Sequence, residues 1–229
     1  MVTLSGILAN HFIKTSFKEL TVEDIRRIKN HSPREVISAL SDIPIDKLQR
    51  LDTGQILGLY ELVSFIEDID EALSYIPSDI QIPEIDTASE TFEKCELAKM
   101  KAQQYKQYYL LLPEIVRIYL GEDHLKGSAI ECLAKGAVIL EDLNKFLERF
   151  KELGGEDPDE SQIEAGIEAL HSFGTYGIVE SIAAKYHCKP YDVYQWQAEE
   201  VYMDMLYQQA KNRYQENLRE IENRKNKSK

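Results

Sequence analysis

Cys188 stands beside His187 in a stretch that also holds the chain's single tryptophan, and a cysteine is the side chain here best suited to act as a nucleophile. A thiol needs a base within hydrogen-bond reach, which His187 or His171 would have to supply. His187 and Cys188 fall at a break between two helical patterns, where a capping role suffices, so no catalytic residue is assigned. The five histidines, His11, His31, His124, His171 and His187, form neither an HExxH motif nor an i,i+4 pair. Cys95, Cys132 and Cys188 are an odd number, far apart and in no Cys-x-x-Cys arrangement, which argues against both a zinc site and a disulfide framework. There is no GxxxxGK[ST] or GxGxxG loop, and Gly121, Gly127 and Gly136 are too scattered to cradle phosphates. The acidic loop GGEDPDES lacks the alternating carboxylates of an EF-hand. The expectation is a non-enzymatic chain with no metal and no cofactor.

Ile182-Ala183, a break, and then Pro190-Tyr191-Asp192-Val193-Tyr194-Gln195-Trp196 follow a helix-turn-helix pattern, which makes a DNA-binding regulator using residues 172–206 the alternative function. A recognition helix needs basic or amide side chains at its start and cations on the flanking phosphates. The second helix offers Asp192, Gln195, Glu199, Glu200 and Asp204, with no Lys or Arg between Pro190 and Ala210. A formal net charge of -13 adds to the repulsion of nucleic acid and of anionic membranes. The exception is the tail, 211–229, where seven basic residues face three acidic ones, a composition that also suits the C-terminal end of a helix.

The elements that would position these residues are helices. With 229 residues, 43% hydrophobic and 29% charged, the chain can bury a core without metal or disulfide. No apolar run approaches the roughly 20 residues that cross a bilayer, and the first residues lack a basic leader pattern, so no membrane partner is expected. Val2–Leu4 and Phe12–Phe17 are the only candidates for extended structure, as a hairpin or an arm. Capping patterns at Thr21, Ser32-Pro33, Asp52 and Thr87 mark helix starts. Asp52 opens a helix carrying Ile56, Leu59, Tyr60, Val63, Ile66 and Leu73 inward. A helix from Thr87 should reach Leu112, where Pro113 should break or kink it unless Pro113 itself begins a new turn. Another should run from Lys126 to Leu153, interrupted by Gly127 and Gly136, with Ile130, Leu133, Val138, Leu143, Phe146, Leu147 and Phe150 inward, and 160–171 adds a short one. The predicted fold is mainly α: a multi-helix bundle with at most a short N-terminal hairpin or arm and a long projecting C-terminal helix. Its divisions are an arm and helical subdomain over 1–75, a linker over 76–88, a main helical domain over 89–210 and a charged end over 211–229.

Phe173, Tyr176 and Ile182 read as the inward face of one helix. From Pro190, Val193, Trp196, Met203, Tyr207, Ala210 and Tyr214 recur at alternating three- and four-residue steps, with Glu200 the polar member. Phe173, Tyr176, Ile182, Val193, Trp196 and Met203 are therefore expected to anchor the domain. Tyr207, Ala210, Tyr214, Leu218 and Ile221 are expected to face a protein partner, either another protein or a second copy.

Three segments together resemble the small helical proteins of tailed-bacteriophage tail morphogenesis: the tail assembly chaperones and related tail or baseplate proteins. They are Ser16-Phe17-Lys18-Glu19-Leu20-Thr21 leading to Asp52–Phe65; Thr91-Phe92-Glu93 through Leu112-Pro113-Glu114 to Leu120; and Phe173-Gly174-Thr175-Tyr176-Gly177-Ile178 to Trp196 and Met203. The resemblance implies no catalytic residues. It implies a protein that keeps the long tape-measure protein soluble or sits in the particle as an adaptor. The host cytoplasm would be its compartment, and the virion a later one.

Overall fold

The computed structural model describes residues 2–3, 8, 11–28, 32–68, 80, 83–153, 163–164, 169 and 173–227. The fold is mainly helical. A two-residue strand pair, β1 (Val2–Thr3) and β2 (Phe12–Ile13), is antiparallel with Val2 opposite Ile13. The helices are α1 (Val22–Arg26), α2 (Pro33–Ala39), α3 (Ile45–Gln49), α4 (Thr53–Glu61), α5 (Phe92–Gln104), α6 (Tyr108–Leu120), α7 (Ala129–Glu148), α8 (Thr175–Tyr186), α9 (Pro190–Tyr194) and α10 (Ala198–Lys227). By backbone contacts the chain forms two compact units, Met1–Ile85 with Leu97–Glu141, and Asp86–Glu96 with Asp142–Lys229.

In the first unit the short helices start where their side chains can satisfy free backbone N–H groups. The Asp24 N–H donates to Thr21 Oγ1 while the Thr21 N–H donates to Asp24 Oδ2. Asp52 and Gln55 repeat this reciprocal box at α4. At α2, Ser32 Oγ accepts from the Glu35 N–H and Pro33 occupies the first turn. The core behind them is Ile13, Phe17, Leu20, Ile25, Ile37, Leu40 and Leu48, with Leu112 and Leu133 contributed from α6 and α7. Phe65 meets Phe17 edge to face at 5.1 Å.

Several boundaries differ from the sequence reading. The helix opened by Asp52 ends at Glu61, and Val63 and Ile66 reach the core from a 3-10 turn, Ser64–Glu67. Thr87 is not a cap. Its N–H and hydroxyl both donate to Asp142 Oδ2, at 3.0 and 2.8 Å, and Thr91 caps α5 instead. The break between α5 and α6 falls at Tyr105–Gln107, and Pro113 lies buried inside α6. Val138 is exposed. Asn30, Leu73, Gly154-Gly155, the acidic loop and most of 160–171 lie outside the described residues.

Gly136 does not interrupt α7. It is the point where α7 and α6 touch, since a Cβ there would lie 2.6 Å from the Leu112 carbonyl oxygen and 2.7 Å from its Cβ. Gly to Ala inside a helix ordinarily gains about 1 kcal/mol, but backbone cannot yield as a flexible side chain can. Gly136→Ala should therefore lose about 1–3 kcal/mol in urea unfolding. Gly58→Ala in α4, with open space around it, should be neutral or stabilising.

Asp24 is a buried carboxylate. Burial pushes its pKa up, but the hydrogen bonds from the Lys14 ammonium and from the Thr21 N–H and hydroxyl outweigh that and hold it below the ordinary 3.8. Stabilisation of this sign is complete above the unfolded value and is lost as pH falls through the folded one. Asp24→Asn should cost about 1–2 kcal/mol at neutral pH. Its deficit against wild type should shrink below pH 3.8 in a pH series of chemical denaturation.

Candidate protein-docking surface

The second unit builds its surface from a broken helical path. α8 ends at His187, whose φ of 56° is left-handed, and the Cys188 N–H closes the turn on the Ala183 carbonyl at 3.0 Å. Pro190 then starts α9, with Asp192 Oδ2 accepting from the Lys189 N–H at 2.9 Å. α9 stops at Tyr194, and α10 does not begin until Ala198. The interruption is caused by main-chain pairing. The Phe92 N–H donates to the Trp196 carbonyl, the Ala198 N–H to Glu90 and the Glu199 N–H to Ala88, at 2.8, 2.8 and 3.1 Å. Thr91 and Gln197 form an antiparallel bridge. Two free N–H groups at the start of α10 are thereby satisfied by backbone carbonyls.

Tyr202 holds the inner face of α10. Its ring lies 5.6 Å from Phe92, 5.5 Å from Phe146 and 5.1 Å from Phe150, and its hydroxyl donates to Glu96 Oε1 at 3.2 Å. Burial first, then the neighbouring Cys95 and Glu96, push the Tyr202 phenol far up, so it stays a donor. Ala198 and Val201 are buried beside it.

The opposite face of α10 is uncovered. Met203, Tyr207 and Tyr214 lie about half a turn round the helix from Val201 and Tyr202, and they are 49%, 63% and 66% exposed. Leu218 and Ile221 continue the face, at 42% and 47%. Ala210 is also exposed. At the near end the face opens into a groove of about 580 Å³ lined by Lys185, Tyr186, Trp196, Glu200, Met203, Asp204 and Tyr207. Asp204 organises it, accepting from Lys185 Nζ and from the Tyr186 hydroxyl. The Lys185 ammonium sits over the Tyr186 and Tyr207 rings, 4.8 and 5.7 Å from their centroids. The hydrogen bond to Asp204 raises the Lys185 pKa, so the groove keeps its ion pair at neutral pH. Trp196 closes one wall, edge to face with Tyr186 at 5.2 Å.

Of the expected anchors, Ile182 and Val193 are buried and Trp196 is half-buried in the joint. Phe173, Tyr176 and Met203 are exposed and so do not anchor the core. The seam read from Pro190 onward is cut at Gln195–Gln197, because α9 and α10 are separate helices. Tyr207, Ala210, Tyr214, Leu218 and Ile221 share one exposed helix. Lys185, Tyr186 and Asp204 were missed by the sequence reading of this surface. Lys185 and Asp204 are on different helices, and the usable signal was the acidic residue beside the seam.

His187 is exposed and Cys188 half-buried, and among the described residues no hydrogen bond joins the Cys188 thiol to a histidine; His171 lies outside them. Burial pushes the Cys132 thiol up to about 12, which keeps it protonated. Among the described residues no group of three or more His, Cys, Asp or Glu is placed to hold a metal ion, and no helix is long and apolar enough to cross a membrane. No family model, curated protein or solved structure matches this chain.

Asp204→Asn removes the charge that gathers Lys185 and Tyr186. Because the pair is partly exposed, the loss in stability should stay below about 1 kcal/mol. The fluorescence of Trp196, the single tryptophan, should change as Tyr186 loosens. An unaltered emission spectrum with unaltered quenching by iodide would show that Asp204 does not order the groove.

Proposed function

We propose that this protein works by protein–protein association through the outward face of α10 and the groove at its near end. In that reading it is a non-enzymatic assembly protein. Its partner is a phage tail protein such as the tape measure, or a second copy of itself. The observation that carries the reading is the row Met203, Tyr207, Tyr214, Leu218 and Ile221, apolar or aromatic and exposed on one side of a helix that turns Met203 and Tyr207 away from the unit's own core and is exposed on every side from Lys211 to Asn226. Scattered surface apolar residues need no explanation, but a contiguous helical row rimmed by charge is the form of a docking site. Tyrosines supply rigid contact area with a polar tip, which suits a surface that must also be solvated before binding.

The tail-morphogenesis role rests on the resemblance of the three segments, and the host cytoplasm followed by the virion is its setting. The helix-turn-helix alternative has less in its favour. The exposed side chains at the start of α9 are Lys189, Tyr191 and Asp192, a single cation beside a carboxylate, and Glu200 and Asp204 line the adjoining groove with Lys185, which Asp204 holds.

Co-expression with the tape-measure protein of the same phage should give a soluble complex. Tyr207→Ser combined with Tyr214→Ser should reduce its yield at least tenfold while leaving the thermal midpoint of the chain unchanged, since both rings are exposed. Recovery of the tape measure alone, aggregated to the same extent with and without this protein, would refute the chaperone role.

A further inference from the structure

The charge on α10 is not spread evenly. Its first part, Ala198 to Ala210, holds Glu199, Glu200 and Asp204 and no Lys or Arg. From Lys211 to Lys227 six basic residues stand against three acidic ones. The same helix thus carries an acidic, aromatic start and a basic end, with Tyr207, Ala210 and Tyr214 between them. We propose that the outward faces of α10 from two copies of this chain pair antiparallel, so that the basic end of each helix lies along the start of the other, at Glu200. This rests on the docking reading and names its occupant.

The spacing fixes a register. The seam steps by three and four residues from Glu200 through Met203, Tyr207, Ala210 and Tyr214, and continues by the same steps to Asn217, Ile221 and Arg224. Antiparallel pairing about the helix centre sets Tyr214 against Ala210 of the other copy, a large residue against a small one. It also sets Met203 against Ile221 and Tyr207 against Asn217, whose amide can meet the phenol. At the ends it sets Glu200 against Arg224. Arg224 is bonded within its own helix to Glu220 at 3.1 Å and still exposes most of its side chain, so its guanidinium can serve both carboxylates. Lys211 and Arg213 flank the twofold axis at exposed positions, where water screens their repulsion. Parallel pairing would instead lay acidic start on acidic start and basic end on basic end. The twofold arrangement is isologous: each helix supplies both halves of the contact, and two copies complete it.

The register is tested by disulfide trapping in the full chain carrying Cys188→Ser. Met203→Cys with Ile221→Cys in one chain should oxidise to a covalent dimer. Either substitution alone should not, because in this register equivalent positions of the two copies are about 27 Å apart along the axis. Efficient trapping of the single variants would mean parallel pairing and would overturn the proposal. In sedimentation, Glu200→Arg and Arg224→Glu should each weaken the dimer about tenfold, since each change acts twice, and the double exchange should restore it to within a few-fold. A wild-type chain that sediments as a monomer at its highest soluble concentration would also overturn the pairing. If Tyr207→Ser with Tyr214→Ser still abolished tape-measure capture in that case, the docking reading would stand without it.

Discussion

The second unit depends on a short main-chain pairing, Ala88–Phe92 against Trp196–Glu199. Three backbone hydrogen bonds there stop α9, hold Trp196 in the joint and start α10 at Ala198. The start point decides everything downstream on that helix, because at 3.6 residues per turn a shift of one position rotates every side chain by about 100°. With Ala198 first, Val201 and Tyr202 turn into the aromatic cluster of Phe92, Phe146 and Phe150, and Met203 and Tyr207 turn out. The cluster then reinforces the choice, since a buried tyrosine keeps its place only where its hydroxyl has a partner, which Glu96 provides.

Much of the fold was legible because it is written locally. Thr21, Ser32-Pro33 and Asp52 cap the helices they open. These signals act within three or four residues of where they are read. Thr87 shows where local reading fails. Its hydroxyl had the right neighbours for a cap, but Asp142, distant in sequence, captures both its donors. Pro113 is similar: it sits inside α6 because buried packing of Leu112, Ile115 and Val116 around it outweighs the lost hydrogen bond. The two compact units each gather separate stretches of chain, an arrangement that no linear division expresses.

The candidate surface was partly legible for the same reason. Tyr207, Tyr214, Leu218 and Ile221 are spaced by the helix alone, so their common face could be read without knowing what lies beside it. The groove could not, because Lys185 and Tyr186 reach Asp204 from another helix. Nor could the cut in the seam at Gln195–Gln197, since the residues on either side keep an unbroken heptad pattern and the cause is a strand-like contact with Thr91. A pattern reports which side chains would share a face if the helix were continuous, and only backbone partners decide whether it is.

The cut also separates two uses of one pattern. Val193, on the near side, is fully buried, whereas Met203 and Tyr207, at equivalent spacing beyond it, are exposed. Had α9 run on into α10, Trp196 and Met203 would have occupied neighbouring turns of a single seam, and the aromatic residues would have competed for the same core. Breaking the helix gives the core Tyr202 and frees the next turn. It also places the acidic residues Glu200 and Asp204 beside aromatic rings rather than beneath them, where Glu200 stays exposed and the largely covered Asp204 holds Lys185. Carboxylates next to aromatic faces attract cations through both charge and ring quadrupole. Lys185 is the cation that takes this position, on Asp204 and over the Tyr186 and Tyr207 rings.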